Sequence, residues 1–320
     1  MIMKKLTLLS LFLMVTLLAA CADTGEDETS LNVVVPAGSP MFSQLYLQAN
    51  QADYESFSLN VDTVQGADTL PAAFGSESHD IIFAPTNLGA RLIDTGVPYS
   101  FAAAVTHGNL YLVSDEQITI ESIEDLSGKN VTLFGQNATP DIVLRTLIKQ
   151  ADLDEEPNLR YMDSVQSALS EFKTDEADIV MLAEPLLSTL ENNDASMNIL
   201  DLQESWKDAF GQDAYPQSGV FIHDDVDPST AGDYLNALEE SIQQANESPE
   251  SVADLGESLD VPFAKDILVS AIPRSHLKFV HAQDAKEDLE FYFQKILELN
   301  PALINDTLPS PSFYMTRHEE

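Results

Sequence analysis

The feature that most constrains the fold is a strand–loop–helix junction that occurs four times along the chain. In each junction a short β-branched or apolar run leads into a loop of small and polar residues, and then into a helical pattern. The four runs are Leu31–Val35, Asp80–Ala84, Asn130–Phe134 and Asp178–Leu182. Strands that alternate with helices are typical of α/β proteins, so we expect this architecture with mostly parallel strands.

Three of the predicted helices carry a proline at or near their first position, after Ser39, Thr139 or Glu184. A hydroxyl or carboxylate there can accept hydrogen bonds from free N–H groups of the first turn, and proline has no N–H to lose. The carboxyl end of each strand therefore meets the amino end of a helix, which is the edge where open α/β sheets bind ligands. Well-capped turns occur in any α/β protein, but four of them, two in each half, predict a two-sided cleft.

Two extended runs without helical period, Asn109–Ser114 and Gly219–His223, separate the second junction from the third and follow the fourth. If both cross between lobes, residues 31–109 and 220–320 form lobe 1 and residues 110–219 form lobe 2. Two crossing strands would leave the lobes free to rotate about a few residues, as in proteins that close around a ligand.

The amino terminus has the pattern of a secretory signal. Two lysines precede Leu6–Ala20, an uncharged apolar run that is too short for a comfortable membrane span. Leu18–Cys21 (LAAC) then resembles the lipobox of bacterial lipoproteins. The resemblance implies that residues 1–20 are a signal peptide and that Cys21 is lipidated.

Cys21 is the only cysteine of the chain, so it cannot form an intramolecular disulfide and is a poor metal site by itself. The alternative is a free catalytic thiol, which would need a nearby base. Residues 21–30 are acidic and lack large apolar side chains, and we interpret them as a flexible tether between lipid and fold.

Composition excludes several classes of partner. The net charge of −38 repels nucleic acid and anionic membrane surfaces, so lipid must provide any membrane attachment. A hydrophobic content of 44% indicates a folded protein. The sequence has no nucleophile elbow, phosphate loop or dinucleotide fingerprint, and its histidines show no metal spacing. We therefore expect no cofactor, no metal and no enzymatic activity.

Two long segments resemble a known family. They are Asp125–Asp154 (DLSGKNVTLFGQNATPDIVLRTLIKQADLD) and Ser164–Pro185 (SVQSALSEFKTDEADIVMLAEP). Both resemble solute-binding proteins of nitrate/sulfonate/taurine-type ABC importers, a group that includes binders of thiamine-pyrimidine precursors. The resemblance implies a type II periplasmic-binding fold with two α/β lobes and a ligand cleft between them. It also implies a monomeric lipoprotein on the outer face of the cell membrane, which delivers a small solute to an ABC permease and its ATPase.

The resemblance also places the ligand against loops at the ends of the predicted strands. These positions are Gly38, Ser39, Pro85, Thr86, Asn87, Thr106, Gln136, Asn137, Ala138, Thr139 and Glu184. Ser39, Thr86 and Thr139 could instead serve only as N-caps. The helix dipole would stabilise Glu184 whatever the protein binds, and the neighbouring His107 is more typical of a structural histidine.

The predicted loops contain no lysine or arginine, and Arg91 and Arg145 lie at least one turn into the following helices. This favours a heterocyclic or cationic organic solute over nitrate or a sulfonate. The alternative function is a surface enzyme or a non-transport sensor on the same fold. Adjacent permease and ATPase genes would favour the importer.

Overall fold

The computed structural model describes residues 29–174, 176–193, 196–213 and 215–317. The predicted signal peptide, Cys21 and most of the predicted tether lie outside the described residues. The first strand begins at Thr29, two residues inside the predicted tether.

One sheet has six strands, built from the chain before residue 107 and after residue 217. Its strands are β1 (Thr29–Pro36), β2 (Phe57–Val64), β3 (Ile81–Pro85), β4 (Tyr99–Thr106), β10 (Ser218–His223) and β11 (Leu277–His281). Their order across the sheet is β11-β4-β10-β3-β1-β2.

The other sheet has five strands from the middle of the chain. They are β5 (Leu110–Asp115), β6 (Asn130–Phe134), β7 (Asn158–Met162), β8 (Ile179–Ala183) and β9 (Met197–Asp201), in the order β7-β6-β8-β5-β9. The four predicted junction strands correspond to β1, β3, β6 and β8.

The two sheets repeat one topology. With one inserted strand left out of the count, the second, first and third strands of each sheet lie side by side and parallel, and the inserted antiparallel strand separates the third from the fourth. That inserted strand is β10 in one sheet and β5 in the other. As predicted, most strands are parallel in direction: eight of the eleven strands in the described residues run the same way as most of their sheet, and only β5, β10 and β11 run the other way. Five of the nine neighbouring pairings are nevertheless antiparallel, because β5 and β10 each lie between two strands of the opposite direction. The chain enters each sheet through β5 or β10 at the edge facing the other sheet, so the entering strand must run away from that edge.

The chain passes between the sheets twice, as predicted, but over shorter segments than the predicted runs. Residues 107–109 join β4 to β5, and residues 211–217 precede β10. The runs themselves are β5 and β10, each a strand inside one sheet. The lobe boundaries at residues 109 and 219 stay a prediction.

Twelve α-helices cover the sheets in the described residues. They are α1 (Ser39–Phe42), α2 (Leu45–Ala49), α3 (Leu70–Ser76), α4 (Thr86–Ile93), α5 (Thr139–Ala151), α6 (Val165–Lys173), α7 (Leu186–Glu191), α8 (Leu202–Phe210), α9 (Pro228–Glu247), α10 (Pro249–Ser258), α11 (Lys265–Arg274) and α12 (Ala282–Leu299). No helix in the described ranges has both the length and the apolar character that a membrane crossing needs.

Helix α12 connects the cores of the two sheets. It packs on β4 of the six-stranded sheet and on α5 of the five-stranded sheet. Its buried residues Leu289 and Phe293 belong to one apolar cluster that also contains Phe101 of β4 and Val131 of β6. The sheets are therefore held edge to edge by a shared core on this side.

Candidate functional site

The two facing sheet edges approach each other at Gly38, between β1 and α1. A Cβ placed on Gly38 would lie 3.6 Å from the Glu184 carbonyl oxygen and 4.0 Å from Pro185 Cδ. Gly38 has a φ of +115°, a conformation that favours glycine. The first junction of the six-stranded sheet therefore contacts the end of β8 in the five-stranded sheet.

Ser39 lies in a buried hydrogen-bond chain that reaches both joining segments. The Asn109 side-chain amide donates to Ser39 Oγ at 2.9 Å, and Ser39 Oγ donates to Ser275 Oγ at 2.8 Å. Gln217 Nε2 donates to Asn109 Oδ1 at 2.8 Å. Because Asn109 and Gln217 belong to the two joining segments, this chain fixes both connections relative to the first junction.

The other predicted hydroxyls also make tertiary contacts. Thr86 Oγ1 donates to the Pro216 carbonyl at 2.7 Å, and Thr139 Oγ1 lies 3.5 Å from Asn87 Oδ1 across the gap between the sheets. Helices α1, α4 and α5 begin at Ser39, Thr86 and Thr139 themselves, and none has a side-chain cap. The interpretation of these residues as N-caps is therefore wrong, because the N-cap positions are occupied by the preceding residues Gly38, Pro85 and Ala138.

A closed circuit of contacts links the two sheet edges, and we call it the polar ring. Its members are Thr86, Asn87, Thr139, Tyr292, Tyr215 and Gln217. Asn87 is close to Thr139, whose hydroxyl lies beside the Tyr292 hydroxyl without the geometry of a hydrogen bond. The Tyr292 and Tyr215 rings stack with centroids 5.9 Å apart. The Gln217 carbonyl accepts from the Thr86 N–H, which closes the circuit.

Three buried polar atoms at or beside the polar ring have no hydrogen-bond partner among the described residues. They are Thr106 Oγ1, Gln217 Oε1 and the Tyr292 hydroxyl. Thr106 is next to the ring, because its carbonyl accepts from the Gln217 N–H at 2.9 Å. Burial raises the pKa of Tyr292, so its hydroxyl stays protonated and can donate or accept. An unpartnered buried polar atom is costly, so these atoms suit a site that holds a polar ligand.

Glu184 is buried, and its carboxylate is bonded within the protein. Oε1 accepts from Ser188 Oγ at 3.0 Å, Oε2 accepts from Ser188 N at 3.2 Å, and Arg274 Nη1 lies 3.7 Å from Oε1. Arg274 also forms an ion pair with Glu191. Burial raises the pKa of Glu184, while the Ser188 bonds and Arg274 oppose that shift. The Glu184 carboxylate thus stabilises the first turn of helix α7 and lies beside the Arg274 guanidinium.

The loop 136–138 lies at the rim. Gln136 and Asn137 are exposed, and Ala138 is half-buried. The loop is held by the buried carboxylate of Asp141, which accepts from Asn137 N at 2.8 Å and from the Tyr161 hydroxyl at 2.7 Å. Asp141 also lies 3.7 Å from Arg145. Gln136, Asn137 and Ala138 are therefore placed to contact only a ligand that reaches the rim.

His107 has a structural position in the first joining segment. Its Nε2 donates to the Lys278 carbonyl at 3.1 Å, and its backbone N–H donates to the His276 carbonyl. Burial lowers the pKa of His107 to about 4, so the ring is neutral at physiological pH. The described residues contain no cluster of His, Cys, Asp or Glu placed to hold a metal ion.

The structure thus brings most of the predicted residues together. Gly38, Ser39, Thr86, Asn87, Thr106, Thr139 and Glu184 are buried where the sheets meet, and Pro85 is half-buried beside them. Sequence reasoning missed Gln217, Tyr292, Asp141 and Arg274. Asp141 follows the predicted proline start directly and could have been found there. Tyr292 lies in the middle of a long amphipathic helix, and nothing local distinguishes it.

Comparison with known proteins gives consistent results. The family model described as NMT1/THI5 like matches residues 39–252. A comparison with curated proteins finds no match. An ABC transporter structure from Parabacteroides distasonis is 22% identical, covers 91% of this chain and 100% of that chain, and gives a TM-score of 0.80.

Two further solved structures share the fold at lower identity. The periplasmic aliphatic sulphonate binding protein SsuA from Escherichia coli is 14% identical, with 92% of this chain and 96% of that chain covered and a TM-score of 0.67. The periplasmic nitrate-binding protein NrtA from Synechocystis is 13% identical, with 86% and 82% covered and a TM-score of 0.62. These likenesses confirm the predicted fold class.

Proposed function

The chain belongs to the NMT1/THI5-like family, and we propose that it is an extracytoplasmic solute-binding protein of an ABC importer. In this proposal a small organic solute binds between the two sheets and is delivered to a permease that its ATPase drives. The protein acts as a monomer and catalyses no reaction. The similar SsuA and NrtA structures, named for sulphonate and nitrate binding, support a binding function on this fold.

The observation that carries the proposal is the polar ring. Equivalent edges of two sheets with the same topology both contribute to it, and the chain passes between those sheets at residues 107–109 and again before β10. A ligand that contacts both edges stabilises the form in which they are close, by its differential affinity for that form. Capture by closure needs no proton or electron transfer.

The proposed contacts from the predicted set fall into two groups. Gly38, Ser39, Pro85, Thr86, Asn87 and Thr106 belong to the first lobe. Gln136, Asn137, Ala138, Thr139 and Glu184 belong to the second lobe. Asn87 and Thr139 are the strongest candidates, because they face each other across the gap at 3.5 Å.

Binding by the mature chain tests the function. We expect a solute to bind with 1:1 stoichiometry in isothermal titration calorimetry, without being converted. Asn87→Ala should weaken that binding about tenfold, because it removes a hydrogen-bonding side chain. Asn236→Ala, at an exposed position of helix α9, is the control and should leave binding unchanged. Conversion of the bound solute would instead support the surface-enzyme alternative.

We also propose that Cys21 carries a lipid anchor that holds the protein at the outer face of the cell membrane. The proposal rests on the sequence alone, since residue 21 lies outside the described residues. A Cys21→Ala protein should incorporate no labelled fatty acid, fractionate as a soluble protein and retain solute binding, because the predicted site begins at Gly38. Membrane retention of this variant would contradict the anchor.

A further inference from the structure

We infer that the polar ring selects an uncharged solute that carries both hydrogen-bond donors and acceptors, and that Thr106, Gln217 and Tyr292 contact this solute. The inference rests on the proposed function and narrows it to a chemical class. It also adds two contact residues, Gln217 and Tyr292, to the site.

The unpartnered atoms indicate which hydrogen-bonding groups the solute carries. Gln217 uses its Nε2 to donate to Asn109, so its free Oε1 needs a donor. The hydroxyls of Thr106 and Tyr292 can each donate or accept. All three groups are neutral, and a solute with both donors and acceptors satisfies them together.

The contact circuit connects these groups. Thr106 and Gln217 are joined by a backbone hydrogen bond of 2.9 Å, and Gln217 follows Tyr215 by two residues. Tyr215 stacks on Tyr292, which in turn lies beside Thr139. Residues from both sheets and from α12 therefore belong to one connected set of contacts between the two edges.

The polar ring offers no cation to an anionic solute. No lysine or arginine belongs to it, and the chain as a whole has a net charge of −38. An anion bound there would lose its hydration without gaining an ion pair. Three carboxylates lie near the facing edges, those of Asp141, Glu184 and Asp201.

The same carboxylates are not free to bind a cation. Arg145 lies 3.7 Å from Asp141, and Arg274 lies 3.7 Å from Glu184. Asp201 accepts from the backbone N–H of Gln203 at 2.7 Å, at the start of α8. The sequence leaves cationic solutes open because the predicted loops lack lysine and arginine, and these paired carboxylates argue against that class.

The test is a thermal-shift screen of the mature protein, followed by titration calorimetry of every compound that stabilises it. One set contains uncharged pyrimidines, nucleosides and polyols. The second contains alkanesulfonates and nitrate, and the third contains putrescine and spermidine. We expect saturable 1:1 binding from the uncharged set only.

Two conservative variants and one control test the assigned contacts of Thr106 and Tyr292. Thr106→Val and Tyr292→Phe each remove one hydroxyl with little change in shape, and each should weaken binding about three- to tenfold. Tyr314→Phe is the matched control, because it removes a buried hydroxyl of the same kind from the C-terminal segment, where the Tyr314 ring lies against Phe101. Circular dichroism of each variant verifies that it is folded.

The outcomes separate this inference from the proposed function. Binding from the sulfonate or polyamine sets alone would overturn the uncharged class and leave the binding function in place. Binding that is equally strong in Thr106→Val, Tyr292→Phe and wild type would overturn the contact assignment. A folded protein that binds no member of any set would contradict both the proposed function and the inference.

Discussion

At the scale of single residues, Arg274 determines what the Glu184 carboxylate can do. Glu184 follows β8 at the facing edge, where a carboxylate could contact a ligand. Arg274, which ends helix α11, lies 3.7 Å from Glu184 Oε1 and also pairs with Glu191. A residue ninety positions away in sequence thus makes Glu184 part of a fixed contact between the two sheets.

Removing this cation should destabilise the protein in a pH-dependent way. Burial already raises the pKa of Glu184, so the folded state binds its proton more tightly than the unfolded state does. Without Arg274 that pKa rises further, and the resulting loss of stability grows as the pH rises through it. Arg274→Ala should therefore cost about 1–2 kcal/mol at pH 8 and less at pH 5.5, a modest figure because Arg274 is itself 38% exposed.

Urea unfolding at both pH values measures this effect. The matched control is Lys265→Ala, which removes a surface cation paired with Asp254 and should cause no measurable change. When Glu184→Gln is combined with Arg274→Ala, the loss of unfolding free energy should be the same at both pH values, because the titrating carboxylate is gone. An equal loss at pH 5.5 and pH 8 for Arg274→Ala alone would refute this account.

At the scale of elements, the close approach of helix α4 to strand β10 depends on Gly89. A Cβ on Gly89 would lie 2.1 Å from Cζ of Phe221, which is fully buried. Because α4 begins at Thr86, any shift of this helix also moves the polar ring. The contact therefore couples packing of the six-stranded sheet to the geometry of the site.

A pair of glycine variants tests this packing. Gly89→Ala should destabilise the protein by about 2 kcal/mol, since overfilling a packed core forces its neighbours to move. Gly232→Ala in α9 meets no atom within 4 Å and should stabilise by about 0.5–1 kcal/mol through helix propensity. Thermal unfolding should show a lower midpoint temperature for Gly89→Ala and a higher one for Gly232→Ala. A stabilising Gly89→Ala would show that α4 does not lie against Phe221.

The elements themselves were largely predictable. The run Asn130–Phe134 is β6, and Leu31–Val35 lies inside β1. Both are rich in apolar or β-branched residues because helices cover both faces of these sheets. The caps were not predictable, because whether Ser39 or Thr139 precedes a helix or begins it depends on a single residue of register.

At the scale of the whole molecule, α12 makes the two sheets depend on one another. Trp206 of α8 packs against Phe291 and Tyr292 of α12, with ring centroids 6.4 Å and 6.0 Å apart. One apolar cluster includes Trp206, Tyr292 and residues of both sheets. Separation of the sheets would expose this apolar surface to water. Because that exposure is unfavourable, the shared core stabilises the arrangement described here.

This shared core predicts a single unfolding transition. Trp206 is the only tryptophan, so fluorescence reports on the contact between α8 and α12, while circular dichroism reports on all helices. The two signals should give the same midpoint in urea. Phe291→Ala should lower that midpoint, at a cost of about 2 kcal/mol, without splitting the transition. Two resolved transitions would show that the sheets unfold independently.

The sequence by itself determined the α/β class, the four strand–loop–helix junctions, the family and the acidic charge. These depend on local patterns, namely strand-length apolar runs, helix starts and loops, which act over a few residues. Only the tertiary structure decided which hydroxyls face the gap, that Arg274 neutralises Glu184, and that Gln217 and Tyr292 complete the polar ring. Those outcomes depend on contacts between residues from about fifty to more than two hundred positions apart, and no local pattern in one sequence records such pairings.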